Sequence, residues 1–252
     1  MTLYSKKFYD EQKENSVESA SVIVPLLLQL IKPKSVIDVG CGLGTWAGIF
    51  EKHGVDTYGV DGQWVNAPDL QFNQLKFFPV DLKHSFKNRY NAINRKFDMA
   101  MSVEVAEHLP KESAETFVKS LTELSDVVVF SAAIPYQGGT DHINEQFQDY
   151  WAKLFEKEGY IVLDPIRKKV WNNPAVSFFY AQNMLVYVRK TCLKRYPSLI
   201  GEQLIVGQLN IVHPERYLLV AKERQMIAKF MPGWIKKLRM KVMKVVKVKV
   251  VK

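Results

Sequence analysis

Cysteine is scarce in this sequence, long apolar runs are missing, and acidic residues disappear from one end; each shortage removes a class of function. Cys41 and Cys192 are the whole cysteine complement, too few for a disulfide framework or a cysteine-built zinc centre. A reducing, cytoplasmic setting is the expectation. The longest apolar run, residues 22–28, contains Pro25 and stops at Gln29, far short of a bilayer span. The first ten residues hold no apolar stretch of signal-peptide length, so export is not expected. With 47% hydrophobic and 24% charged residues over 252 positions, the chain reads as one folded domain with an extension, not as disorder.

The net charge of +9 invites a nucleic-acid reading until it is located. Residues 233–252 carry Lys236, Lys237, Arg239, Lys241, Lys244, Lys247, Lys249 and Lys252 with no acidic residue. Without those eight charges the other 232 residues hold about +1, so the body lacks the broad basic surface that phosphate binding requires. Nucleic acid is therefore not the expected partner. On a helical wheel most of the tail's cations fall on one side, with Trp234, Ile235, Val242 and Val246 largely opposite. That pattern is one of an interfacial segment drawn to anionic lipid, which would put the protein at the inner membrane face. The alternating valines at the very end argue instead for a solvated tail.

Helical and strand patterns alternate along the first 190 residues. Helices are expected at 19–31 (entered through Ser16 or Ser19, closed by Pro33), 45–53, 112–124 and 145–158. Short β-branched runs at 35–39, 56–60, 76–80, 97–102, 126–131, 160–163 and 184–188 read as seven strands. Such alternation implies right-handed βαβ units and a doubly wound α/β sheet. Beyond Arg189 the pattern weakens, and 204–229 could supply a strand and a helix. The expected organisation is a domain over 1–190, an extension packed on it over 191–232, and the basic tail over 233–252.

In a sheet of this kind ligands bind where strand order reverses, at the carboxyl ends of the strands. The first strand runs into Asp38-Val39-Gly40-Cys41-Gly42-Leu43-Gly44-Thr45. Alternate glycines let the backbone turn sharply and approach a ligand, although a tight strand-to-helix turn alone would also use them. The third glycine falls one residue earlier than in the dinucleotide fingerprint, with Thr45 in its slot, which disfavours a nicotinamide cofactor. Asp61, 21 residues beyond Gly40 and followed by Gly62, ends the second strand, where a carboxylate can accept from both ribose hydroxyls. Asp81-Leu82 ends the third, where a carboxylate and adjacent backbone can read an adenine edge. Three acidic residues in step with three strand ends form a set.

Together with Glu104-Val-Ala-Glu-His-Leu-Pro110, these segments resemble the successive motifs of class I S-adenosylmethionine-dependent methyltransferases. The resemblance covers roughly residues 8–188 and is closest to a bacterial subgroup linked with glycan and surface-polysaccharide assembly. It implies a Rossmann-like seven-stranded sheet, mostly parallel with one antiparallel strand. It also implies that Gly40 and Gly42, with Cys41 between them, line the methionine part of S-adenosylmethionine, and that Asp61 and Gly62 meet the ribose. Asp81 and Leu82 would meet the adenine, Asp38 would orient the loop or the amino-acid moiety, and Glu104 would stand beside the reacting methyl. Trp64 is a candidate for adenine contact.

Methyl transfer from a sulfonium is an in-line displacement helped by alignment, and a hydroxyl acceptor must also lose its proton. His142, whose loop is approached through Gly138-Gly139, is the first candidate base; Glu145 could orient it, and His108 is the second candidate. Asp141, His142 and Glu145 are ligand types, but their spacing matches no strong signature, so metal-independent transfer is expected. Trp171, Asn172 and Tyr180 are candidates for an acceptor wall, since amides beside an aromatic plane suit a sugar ring. The leading expectation is O-methylation of a sugar or glycan hydroxyl, on a free or lipid-linked acceptor. The rivals are a small-molecule O- or N-methyltransferase of secondary metabolism and a non-catalytic cofactor-binding assembly partner.

Overall fold

A computed structural model describes residues 6–86, 89–204, 208–230 and 232. It contains one seven-stranded sheet in the order β3-β2-β1-β4-β5-β7-β6. The strands are β1 (Ser35–Val39), β2 (Asp56–Asp61), β3 (Phe77–Pro79), β4 (Met99–Val103), β5 (Val127–Ser131), β6 (Tyr160–Leu163) and β7 (Leu185–Arg189). All neighbours pair in parallel except β7, which runs antiparallel to both β5 and β6. The order reverses between β1 and β4, and that is where a doubly wound sheet opens a crevice.

The helices are α1 (Lys6–Ile31), α2 (Thr45–Lys52), α3 (Ala114–Leu124), α4 (Gln148–Lys157), α5 (Arg167–Val170), α6 (Phe178–Asn183) and α7 (Pro214–Phe230). Phe117, Leu121, Trp151 and Phe155 of α3 and α4 pack one face of the sheet against Val128, Phe130 and Tyr187. On the other face Ile23, Leu27, Trp46, Phe50 and Tyr180 of α1, α2 and α6 meet Val36, Met99, Val127 and Val129. Every residue of β5 is buried, which explains why its sequence is apolar from Val127 to Phe130.

Two expected helices differ, each for a local reason. The first helix begins at Lys6, well before Ser16 and Ser19. Neither serine caps it: Ser19 Oγ accepts the Ser177 N–H at 3.0 Å, and Ser16 Oγ lies 3.0 Å from the Tyr180 hydroxyl, so both are spent on α6. The fourth expected helix begins at Gln148 instead of 145. Glu145 is engaged elsewhere, accepting the N–H of Tyr136 at 2.7 Å and of Gly138 at 3.2 Å. Finally, α5 and α6 occupy the segment between β6 and β7 that carried no clear helical pattern.

The first compact unit spans Met1–Ile211 and so takes in residues 191–211 as an added segment after β7. Three ties hold the added segment: Gln203 bridges Leu163, the Asp164 N–H donates to Glu202, and buried Arg167 donates from Nη1 to the Leu209 carbonyl at 2.8 Å. The second unit is Val212–Lys252, of which α7 is the described element. The basic tail over 233–252 lies outside the described residues. Among the described residues no helix is long and apolar enough to cross a membrane.

Candidate active site

The loop after β1 closes over the end of β2. Gly40 and Cys41 both donate their N–H groups to the Val60 carbonyl, at 2.8 and 3.2 Å. Asp61 then ties the two strand ends together, accepting the Gly42 N–H on Oδ2 at 2.7 Å and the Gly62 N–H on Oδ1 at 2.6 Å. Burial pushes the Asp61 carboxyl up while these two N–H groups pull it back. Each oxygen keeps a further lone pair for a ligand.

The loop has the shape of a cradle. Gly40 has φ +81°, and a Cβ there would run into Val105, so both the turn and the contact demand glycine. At Gly42 a Cβ would meet open space. Asp38 is 2% exposed, and its Oδ2 has no hydrogen-bond partner. Burial first, and the charge of Asp61 second, push its carboxyl up to about 7. An orphaned buried carboxylate oxygen beside an open glycine loop fits a cationic small molecule. Burial, reinforced by Asp38 and Asp61, also pushes the Cys41 thiol up, which suits a packing role and not a nucleophile.

At the end of β4 the chain turns through Glu104, a non-glycine residue with φ +53°. Its N–H donates to the Ser131 carbonyl at 3.0 Å, and its carboxylate accepts from Gln137 Nε2 at 2.8 Å and Asn183 Nδ2 at 3.2 Å. Gln182 adds to this amide network, donating from Nε2 to the side-chain oxygens of Gln137 at 3.2 Å and Asn183 at 2.9 Å. Burial raises Glu104 against those donors. Glu107, fully buried, is pushed well up by burial and then by the charge of Glu104.

The loop after β5 is stapled to the turn after β4, because Ile143 and Asn144 both donate their N–H groups to the Glu107 carbonyl at 2.9 and 3.0 Å. That staple sets the His142 ring edge-on to the His108 ring, centroids 4.8 Å apart. His142 Nδ1 lies 3.0 Å from Glu145 Oε1, and His108 Nδ1 3.4 Å from the Asp141 carbonyl. Burial, then the neighbouring His142, holds His108 below its ordinary value.

A family model for a methyltransferase domain matches residues 9–165. The chain belongs to the methyltransferase domain family. A search of curated proteins by sequence gave no match. In fold this methyltransferase is similar to the magnesium protoporphyrin IX methyltransferase of Synechocystis PCC 6803 with bound SAH, at 18% identity and TM-score 0.52 over 72% of this chain and 88% of that one. It is also similar to an O-methyltransferase family protein of Burkholderia thailandensis, at 12% identity and TM-score 0.54 over 74% and 60% of the two chains. A TehB-like methyltransferase of Corynebacterium glutamicum matches at 16% identity and TM-score 0.50 over 68% and 88%.

The structure brings Asp38, Gly40, Cys41, Gly42, Asp61, Gly62 and Glu104 of the methyltransferase to neighbouring strand ends. Asp81 stands half-exposed and accepts the Lys83 N–H at 3.0 Å, beside buried Leu82. Trp64 is 76% exposed and folds back over Gly62. Trp171 and Asn172 sit in the turn after α5, half-buried and exposed. Tyr180 is packed edge-on against Trp46 with centroids 5.2 Å apart, which spends its ring on the core instead of on an acceptor wall. The same helix instead delivers Asn183 to Glu104. Gln137, Asn183 and Glu107 were not singled out from sequence as site residues. The only available signal was the polar character of Gln182-Asn183 at the end of an aromatic run.

Proposed function

We propose that this methyltransferase O-methylates a hydroxyl of a sugar or glycan. Its donor is S-adenosylmethionine, which supplies an electrophilic methyl group when bound. Asp38, Gly40, Cys41, Gly42, Asp61, Gly62, Asp81, Leu82 and Glu104 are the residues that would hold it: the glycine loop gives close backbone approach, Asp61 accepts from hydroxyls, and buried Asp38 and Glu104 favour a cation. The observation that carries the oxygen acceptor is the His108–His142–Glu145 group beside Glu104. A neutral amine can attack a methyl with its own lone pair, whereas a hydroxyl needs its proton removed. Polar machinery of this kind, gathered where the acceptor must approach, suits the second case. Tyr136, 85% exposed and held by its N–H on Glu145, and exposed Ile143, next to His142 in sequence, offer apolar surface near polar groups, as sugar recognition needs. A lipid-linked acceptor would accord with the basic tail.

The test combines binding and turnover. Calorimetry with S-adenosylmethionine should give micromolar affinity for wild type and none for Asp61→Ala. A panel of oligosaccharides, nucleotide sugars, phenols and amines is then offered with labelled donor. Methyl ethers of sugars are the expected products, and His142→Ala should lower turnover on the order of 10²–10⁴-fold with donor affinity kept. Transfer confined to amines, or indifferent to His142, would sink the reading.

A further inference from the structure

Glu107, His108 and His142 come from two different loops, yet the donor atoms of all three side chains lie within 4.8 Å of one another. They are not a loose surface cluster. Glu107 is fully buried, and neither carboxyl oxygen has a hydrogen-bond partner of normal geometry among the described residues. A buried carboxyl without a hydrogen-bond partner is unfavourable in its charged form, and a bound cation would favour that form. The two imidazoles beside it are oriented from behind. His142 Nδ1 is held by Glu145 and His108 Nδ1 faces the Asp141 carbonyl, which leaves Nε2 of each ring to offer a lone pair. A carboxylate or carbonyl behind each histidine is how metal-binding rings are fixed and made more basic. Glu107 is buried, while both histidines are partly exposed.

We propose that Glu107, His108 and His142 bind a divalent first-row transition cation, of the Mn²⁺, Fe²⁺ or Zn²⁺ kind, that holds the acceptor oxygen at an open position. Two imidazoles and one carboxylate match such ions better than Mg²⁺ or Ca²⁺, which favour all-oxygen sites. The inference rests on the O-methyltransferase reading for its use, and changes the device: the cation, and not a free imidazole, then polarises the acceptor hydroxyl. It departs from the metal-independent transfer expected from the spacing of Asp141, His142 and Glu145. Sequence spacing could not see Glu107 and His108 meeting His142 across two loops.

The full chain, stripped with EDTA and exchanged into buffer, is titrated with Mn²⁺ while the paramagnetic resonance of free Mn²⁺ is followed. Wild type should remove one Mn²⁺ per chain. Glu107→Gln and His142→Ala should weaken binding by at least ~10-fold, and Glu145→Gln, acting from behind His142, by roughly 10–100-fold. Calorimetry with S-adenosylmethionine on the same samples shows that each variant is folded and that the cofactor cradle is intact. His142→Ala, at a partly exposed position, keeps the test alive should Glu107→Gln fail to fold. Folded wild type that takes up no Mn²⁺ or Zn²⁺ overturns the proposal, as do variants that bind as wild type does, which would mean an adventitious ion only. Wild type that binds Mn²⁺ but not S-adenosylmethionine would instead overturn the functional reading and leave the cation site standing.

Discussion

Asp38 carries a cost that a ligand can relieve. It is buried with one oxygen orphaned, and the Ala47 N–H helps hold its charge, against burial and the nearby Asp61. Its carboxyl is raised to about 7 in the folded protein and returns to ordinary carboxylate values on unfolding. Folding therefore takes up a proton at weakly acid pH. The resulting stabilisation is complete below about pH 4 and is lost as pH rises through about 7. Between pH 5 and 8 the ligand-free protein should lose on the order of 3 kcal/mol relative to Asp38→Asn, which cannot ionise. Urea unfolding of both proteins at the two pH values measures this. A difference that does not move with pH would mean that Asp38 is charged throughout.

The loops matter more than the helices and strands they join. Strands β1 and β6 were readable from sequence to the residue, because their β-branched and aromatic runs stand between turn signals. The glycine loop was equally plain, since its glycines answer to backbone geometry, as was the reach from His142 to Glu145 three residues on. What stayed hidden were contacts set by tertiary packing. Nothing in Glu104-Val-Ala-Glu-His says that Glu107 turns inward while His108 faces a second loop, and nothing near Asn183 says that its amide meets Glu104. The start of α4 was misplaced for the same reason, because Glu145 answers to Tyr136, Gly138 and His142 instead of to its own helix. Gly139 tests how tightly this loop is set. Its φ is +148°, and a Cβ there would overlap the His142 imidazole. Gly139→Ala should displace that ring and cost on the order of 10²-fold in kcat/KM, the usual penalty for about 1 Å of misplacement. Affinity for S-adenosylmethionine should stay unchanged, since the cradle lies on other strand ends. Equal turnover in Gly139→Ala would show that the loop yields without consequence.

Across the whole molecule, charge and chemistry are segregated. Every residue assigned here to donor binding or acceptor activation lies in the unit Met1–Ile211, whereas eight cations sit in the last twenty residues. Between them α7 exposes Tyr217, Leu218, Met226, Ile227 and Phe230. Apolar side chains followed by a cationic segment without acidic residues suit an anionic lipid surface, where each Lys or Arg near the headgroups contributes about 1 kcal/mol. If half of the eight engage, the gain is about 4 kcal/mol, or roughly 10³-fold in partitioning. The full chain should therefore float with vesicles that contain anionic phospholipid and sediment away from neutral ones, and moderate salt should release it. A chain ending at residue 232 should lose flotation while turning over a water-soluble acceptor at the wild-type rate. Retained flotation after that truncation would assign the attachment to α7. Binding to neutral vesicles as well as anionic ones would remove electrostatics from the account and leave the tail's lysines without a membrane role.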